Sequence, residues 1–109
     1  MSVRVSIAGR AEIDLTHQYR WYLDNAGGEV AERFLKAFDS TVARLAKQPQ
    51  LGRLRRFRAP ELRSIRSLSI GGSFSVHLIF YRTTPRELSI ERVMHGARDL
   101  PRRMLESPE

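Results

Sequence analysis

Residues 74–94 read FSVHLIFYRTTPRELSIERVM, and the fold turns on how this run divides. Phe74, Val76, Leu78 and Phe80 alternate with Ser75, His77, Ile79 and Tyr81, the two-residue period of a strand with one apolar and one mixed face. So apolar a strand belongs in the middle of a sheet. Thr84-Pro85-Arg86 then turns the chain, because proline fixes its own φ and pushes the residue before it out of the helical region. Glu87 to Met94 supplies the next strand, and the run is an antiparallel hairpin.

Upstream, residues 61–70 form a third strand candidate, with Leu62, Leu68 and Ile70 as its inward set and Gly71-Gly72 as a hairpin turn. Downstream, the hairpin runs into His95-Gly96-Ala97-Arg98-Asp99. Gly96 permits a sharp exit from the strand, and Asp99 is suited to cap a short terminal helix or tail. Arg98 is then free to reach back to the sheet or to Glu61. The 100–109 segment is expected to be a removable surface element, with Leu100, Met104 and Leu105 on one side and Arg102 and Arg103 on the other.

The first half of the chain reads differently. Val3, Val5 and Ile7 alternate with Ser and Arg in a first strand, 2–7. From 10 to 25, Ile13, Leu15, Tyr19, Tyr22 and Leu23 recur with helical spacing, and Asn25-Ala26-Gly27-Gly28 ends the element. Val30, Ala31, Phe34, Leu35, Phe38, Val42, Leu45 and Ala46 form the apolar stripe of a second helix, 29–47, closed by Pro49. The short link makes the pair an antiparallel helical hairpin. Residues 48–60 are read as a loop carrying Arg53, Arg55, Arg56 and Arg58. The expectation is an α+β fold in one domain, 1–109. A strand and a helical hairpin precede a three-stranded antiparallel meander, completing a small four-stranded sheet, and 95–109 form a C-terminal motif and tail.

Composition narrows the chemistry. The 109 residues contain no cysteine, which excludes disulfides, thiolate metal sites and cysteine nucleophiles. His77 has no partner at metal-ligand spacing, so neither metal nor cofactor is expected. With no signal-like leader and no apolar run of membrane-spanning length, the sequence reads as cytoplasmic and free of the membrane. Its net charge of +7 favours an acidic partner. Every basic residue except Lys36 and Lys47 is an arginine, whose planar fork pairs with carboxylate or phosphate alike. Direct nucleic-acid binding is left open by this count.

The whole chain resembles the RelE/ParE superfamily of toxins from toxin–antitoxin systems. The resemblance rests on Ala11 with Asp14-Leu15, Tyr19 and Tyr22, Ala31, Phe34-Leu35 and Leu45, then Pro49 and Gly52. It continues through Glu61-Leu62-Arg63 and Phe80-Tyr81-Arg82 to Arg92-Val93-Met94-His95-Gly96-Ala97-Arg98-Asp99. The final motif is similar to the ending of the ParE branch.

The superfamily joins two outcomes on one fold, so the residues must arbitrate. RelE-like members cut messenger RNA on the ribosome, and ParE-like members inhibit DNA gyrase. An RNA-cleaving site needs a base, a cationic group at the phosphate and an acid. Here the tail after His95 carries no Tyr, His or Lys. What remains is an incomplete catalytic set of Arg63, Arg82 and His95, with Arg66, Tyr81 and His77 as neighbours in sequence. The resemblance therefore implies a ParE-like, non-enzymatic gyrase inhibitor, in a hetero-oligomer with a cognate ParD-like antitoxin bearing an acidic C-terminal segment. Arg63, Arg66, Arg82, His95, Arg98, Asp99, Arg102 and Arg103 are the candidate antitoxin- or target-binding residues. An RelE-like endonuclease, or an inactive toxin that keeps only antitoxin binding, are the alternatives.

Overall fold

A computed structural model describes residues 3–96 and 100–108. Its elements are β1 (Arg4–Ile7), α1 (Gly9–Ala26), α2 (Gly28–Lys47), β2 (Arg53–Leu54), β3 (Arg66–Ser69), β4 (His77–Thr83), β5 (Glu87–His95) and α3 (Leu100–Leu105), with 3-10 turns at Pro60–Leu62 and Gly72–Phe74. The two long helices match their apolar periodicity. Only Gly27 separates them, at φ 95°, a conformation that side-chain-bearing residues rarely adopt.

The sheet order is β1-β5-β4-β3-β2. β1 runs parallel to β5, with Val5 beside Leu88 and Ile7 beside Ile90, and the remaining pairs are antiparallel. The class is α+β as expected, but the sheet has five strands where the sequence suggested four. The extra one, β2, lies in the arginine-rich stretch read as loop and pairs Arg53 with Ser67 and Leu54 with Arg66. Tyr81 holds that stretch down. Its hydroxyl accepts from Gly52 N–H at 2.8 Å and donates to the Pro49 carbonyl at 2.7 Å. A Cβ at position 52 would lie 2.6 Å from the tyrosine oxygen, so only glycine permits the approach.

Two further boundaries differ. Instead of spanning 61–70, β3 covers only Arg66–Ser69, because Pro60 starts a 3-10 turn and Ser64 sits at φ 62°. Gly71-Gly72 leads into another 3-10 turn, so β4 begins at His77 and Phe74 reaches the core from the turn.

Both faces of β4 are covered. The face read as mixed packs under the helices, where Ile79 and Tyr81 join Phe34, Phe38, Leu45, Leu88, Ile90 and Val93. On the opposite face Phe80 meets Met94, Leu62, Ile65, Leu100 and Met104. The terminal helix is therefore part of a second core. Leu100 and Met104 are 3% and 2% exposed, correcting the expectation of a removable surface segment, while Leu105 does face solvent. In α1 the correction runs the other way, because Ile13 and Leu23 of the apolar stripe are exposed and the buried residues are Ala11 and Asp14.

Candidate functional site

β1 stops pairing at Ile7, and the last part of β5 would be left with an open edge. An unpaired edge exposes backbone donors and acceptors that need partners. Side chains of α1 take over from the strand. Asp14 Oδ2 accepts from Val93 N–H at 3.0 Å, and Gln18 Nε2, one helical turn on, donates to the Val93 carbonyl at 2.7 Å.

Asp14 also holds Arg92 with a two-point contact, Nε to Oδ2 at 2.7 Å and Nη2 to Oδ1 at 3.0 Å. Both residues are buried. Nη1 of the same guanidinium donates to the carbonyls of Arg103, Met104 and Glu106 at 3.2, 3.1 and 2.9 Å, and Arg10 donates to those of Met104 and Glu106. The Arg103 carbonyl also accepts from Glu106 N–H at 3.2 Å, and the two arginines cap those of Met104 and Glu106, at and just past the end of α3. The Asp14–Arg92 pair thus ties α1, β5 and α3 together.

Neither residue was singled out as a site residue from sequence, although a signal existed. Asp14 falls on the inward stripe of its helix and Arg92 in an otherwise apolar strand; buried charges in such places need each other.

The candidate residues do not gather in one place. Arg66 stands beside Tyr81 on the helix-covered face and donates to the carbonyl of Gly52 at 2.8 Å. Arg82, the next residue along β4, points to the opposite face. There it meets Glu91 Oε1 at 2.8 Å and donates to the carbonyls of Arg63 and Glu61. The side chain of Arg63 is exposed. His95 pairs with His77, five residues along β4 from Arg82, a separation of about 17 Å at strand rise. Arg103 donates to the His95 carbonyl at 3.1 Å, and Arg102 lies near Glu106 in solvent. Arg98 and Asp99 lie outside the described residues.

Among the loop arginines, Arg55 turns inward over the rings of Phe57 and Phe80, whereas Arg53, Arg56 and Arg58 face water, as do Leu51 and Leu54. His77 is packed against Tyr22 and Phe34, and its Nε2 lies 2.8 Å from the Tyr22 hydroxyl. Burial, with a smaller contribution from His95, pushes its pKa down to about 4. Its imidazole is neutral at pH 7, a packing residue that cannot serve as a cation there. Among the described residues, no helix is long and apolar enough to cross a membrane.

No curated protein matches the sequence. Among ten matching solved chains, one described as "Chromosomal ParDE TA system from P. aeruginosa" is similar in fold, with a TM-score of 0.70 at 20% identity, over 88% of this chain and 98% of that one. The family profile described as ParE toxin of type II toxin-antitoxin system, parDE, matches residues 5–100, and the chain belongs to that family.

Proposed function

We propose that the chain inhibits DNA gyrase without bond-making chemistry of its own and is neutralised by a ParD-like antitoxin in the cytoplasm. The observation that carries this reading is the dispersal of the residues a ribonuclease would need. Base, acid and phosphate-binding cation must reach one scissile phosphate within hydrogen-bond distance. Arg82 and His95 are instead separated by about 17 Å along the strands. Arg82 already carries a carboxylate, and burial keeps His77 neutral.

For the antitoxin, the exposed residues of the 51–63 stretch, Leu51 and Leu54 with Arg53, Arg56, Arg58 and Arg63, offer both apolar and cationic contacts. An acidic amphipathic segment, disordered alone and folding on contact, suits it. Arg66 and Arg82 are less available than the sequence suggested, since both are engaged within the sheet. With an apolar centre, this complex should weaken less with salt than phosphate binding does.

Induced expression tests the reading. Gyrase-dependent DNA breaks with intact messages are expected, along with rescue by the neighbouring small reading frame. Folded His95→Gln protein should keep its toxicity. Cleaved messages, lost together with toxicity in that variant, would place the chain with the nucleases instead.

A further inference from the structure

All three histidines of the sequence, His17 on α1, His77 on β4 and His95 at the end of β5, line one cavity of about 370 Å3. Gln18, Trp21 and Tyr22 complete its wall. The volume is that of a small-ligand site. Among the described residues, Gln18 Oε1 and His77 Nδ1 are buried without a hydrogen-bond partner, and His77 as a whole is 2% exposed. Buried polar atoms are almost always satisfied, and these two lie just behind the cavity surface, so a small turn of each side chain is what would bring them to a ligand. Trp21 at the mouth is 60% exposed, an aromatic surface left in water.

A second recess of about 280 Å3 adjoins the first, sharing His17, Gln18 and His95. Arg103 borders it. Asp14 and Arg92 there neutralise each other, and Glu106 lies 3.3 Å from Arg102. One recess is lined mostly by rings, and the other is polar, with Arg103, which gives one N–H to the His95 carbonyl, as its cation. Among the described residues no three side chains are placed to hold a metal ion.

We propose that the linked recesses bind a purine nucleotide, its base stacked on Trp21 and His95 with its edge toward Gln18 and His77, and its phosphate against Arg103. A base edge carries a donor and an acceptor side by side, as an amide oxygen and an imidazole nitrogen require, and the choice of a purine over a pyrimidine rests on the area of its face. Stacking on aromatic side chains holds any base, and a two-ring base lays the larger face on the ring and makes more contacts there. The arginine fork supplies the phosphate contact. The site lies away from the Arg53–Arg58 surface and does not depend on the gyrase reading. A free nucleotide and a purine within a nucleic-acid strand share this chemistry.

Trp21 is the single tryptophan, so its fluorescence reports this slot alone. The probes are AMP and GMP at low salt, with CMP, adenosine and inorganic phosphate for comparison. At least one purine nucleotide should quench Trp21 with half-saturation near or below about 1 mM, CMP should bind about tenfold more weakly, and phosphate alone should leave the signal unchanged. Calorimetry on two variants follows. Arg103→Gln should weaken AMP about tenfold while sparing adenosine, and Trp21→Ala should weaken both. An adenosine trinucleotide that binds far more tightly than AMP, with steep salt dependence, identifies a strand as the source, and equal affinity identifies the free nucleotide. The proposal is overturned if neither purine nucleotide quenches at about 10 mM, if CMP binds as well, or if either variant binds AMP like the wild type.

Discussion

Arg92 and Arg82 sit on the two longest strands, and each meets a carboxylate at close range, yet their surroundings differ. Around Arg92 the pair is buried, and each of the three guanidinium nitrogens donates to an oxygen of Asp14 or of the 103–106 segment. Around Arg82 both side chains keep 32% of their exposure, and the partner Glu91 comes from the neighbouring strand. Taking a charge out of water is costly unless its partner stays in place, whereas a wet pair is close to neutral. The arginine hidden by its surroundings is the structural one. The arginine that sequence reading marks for function is only lightly held.

The largest effect should come from Asp14→Ala. It strands the Arg92 guanidinium and the Val93 amide in a dry site, and breaking a buried pair from one side costs about 3–5 kcal/mol. That is a large part of the about 5–15 kcal/mol that stabilises a typical domain. Denaturant unfolding measures it. Replacing both partners by apolar residues, Asp14→Leu with Arg92→Met, should recover part of the loss. A single variant that loses under about 1 kcal/mol would put Arg92 in the same class as Arg82.

Met104→Ala should cost about 3–4 kcal/mol, because the side chain fills the core beneath Phe80 and Met94 and its removal leaves a cavity. Leu105→Ala, one residue on and facing water, should stay within about 0.5 kcal/mol. Equal losses from the two would mean that α3 is not seated as described.

Near the other end of β4, His77 gives a pH-dependent version of the contrast. Its folded pKa of about 4 lies below the ordinary 6.5, so between these values the unfolded chain binds more protons and stability rises with pH. The contribution is complete above pH 6.5 and is lost as pH falls toward 4, on the order of 3 kcal/mol in all. His77→Phe should remove this slope. Unfolding of both proteins across that window, taken as a difference to cancel the carboxylates, checks it; parallel curves would mean that His77 is not held neutral.

Much of this was legible because periodicity reports burial. The stripe of Phe34, Phe38 and Leu45 located α2, and the alternation from Phe74 to Tyr81 located β4, though it started the strand three residues early. Local pattern could not report β2, a two-residue strand that exists because Tyr81 draws in Gly52 from 29 positions away. Nor could it tell which face of β4 would be deeper, since both are covered and α3 supplies the second cover from outside the pattern. The site was less legible than the fold. Arg63, Arg66 and Arg82 look alike in sequence, but adjacent faces of a strand and the carbonyls of nearby loops assign them different neighbours. The gathering of three histidines depends on the β4–β5 register, which brings His77 beside His95, and on α1 lying across the edge of β5.

The smallest effect is expected at Glu91→Gln. The substitution keeps the shape of the side chain and a hydrogen-bond acceptor for Arg82, while removing the charge. Arg82 retains its bonds to the carbonyls of Glu61 and Arg63, so no donor is stranded. At one-third exposure water screens the lost attraction, which leaves under about 1 kcal/mol, and added salt should shrink it further. Thermal melts at low and high salt, combined with Arg82→Met in a double-mutant cycle, isolate the pair. A coupling above about 2 kcal/mol that resists salt would be the behaviour of a desolvated pair, and the difference between the two arginines would then lie in their neighbours' number and not in their access to water.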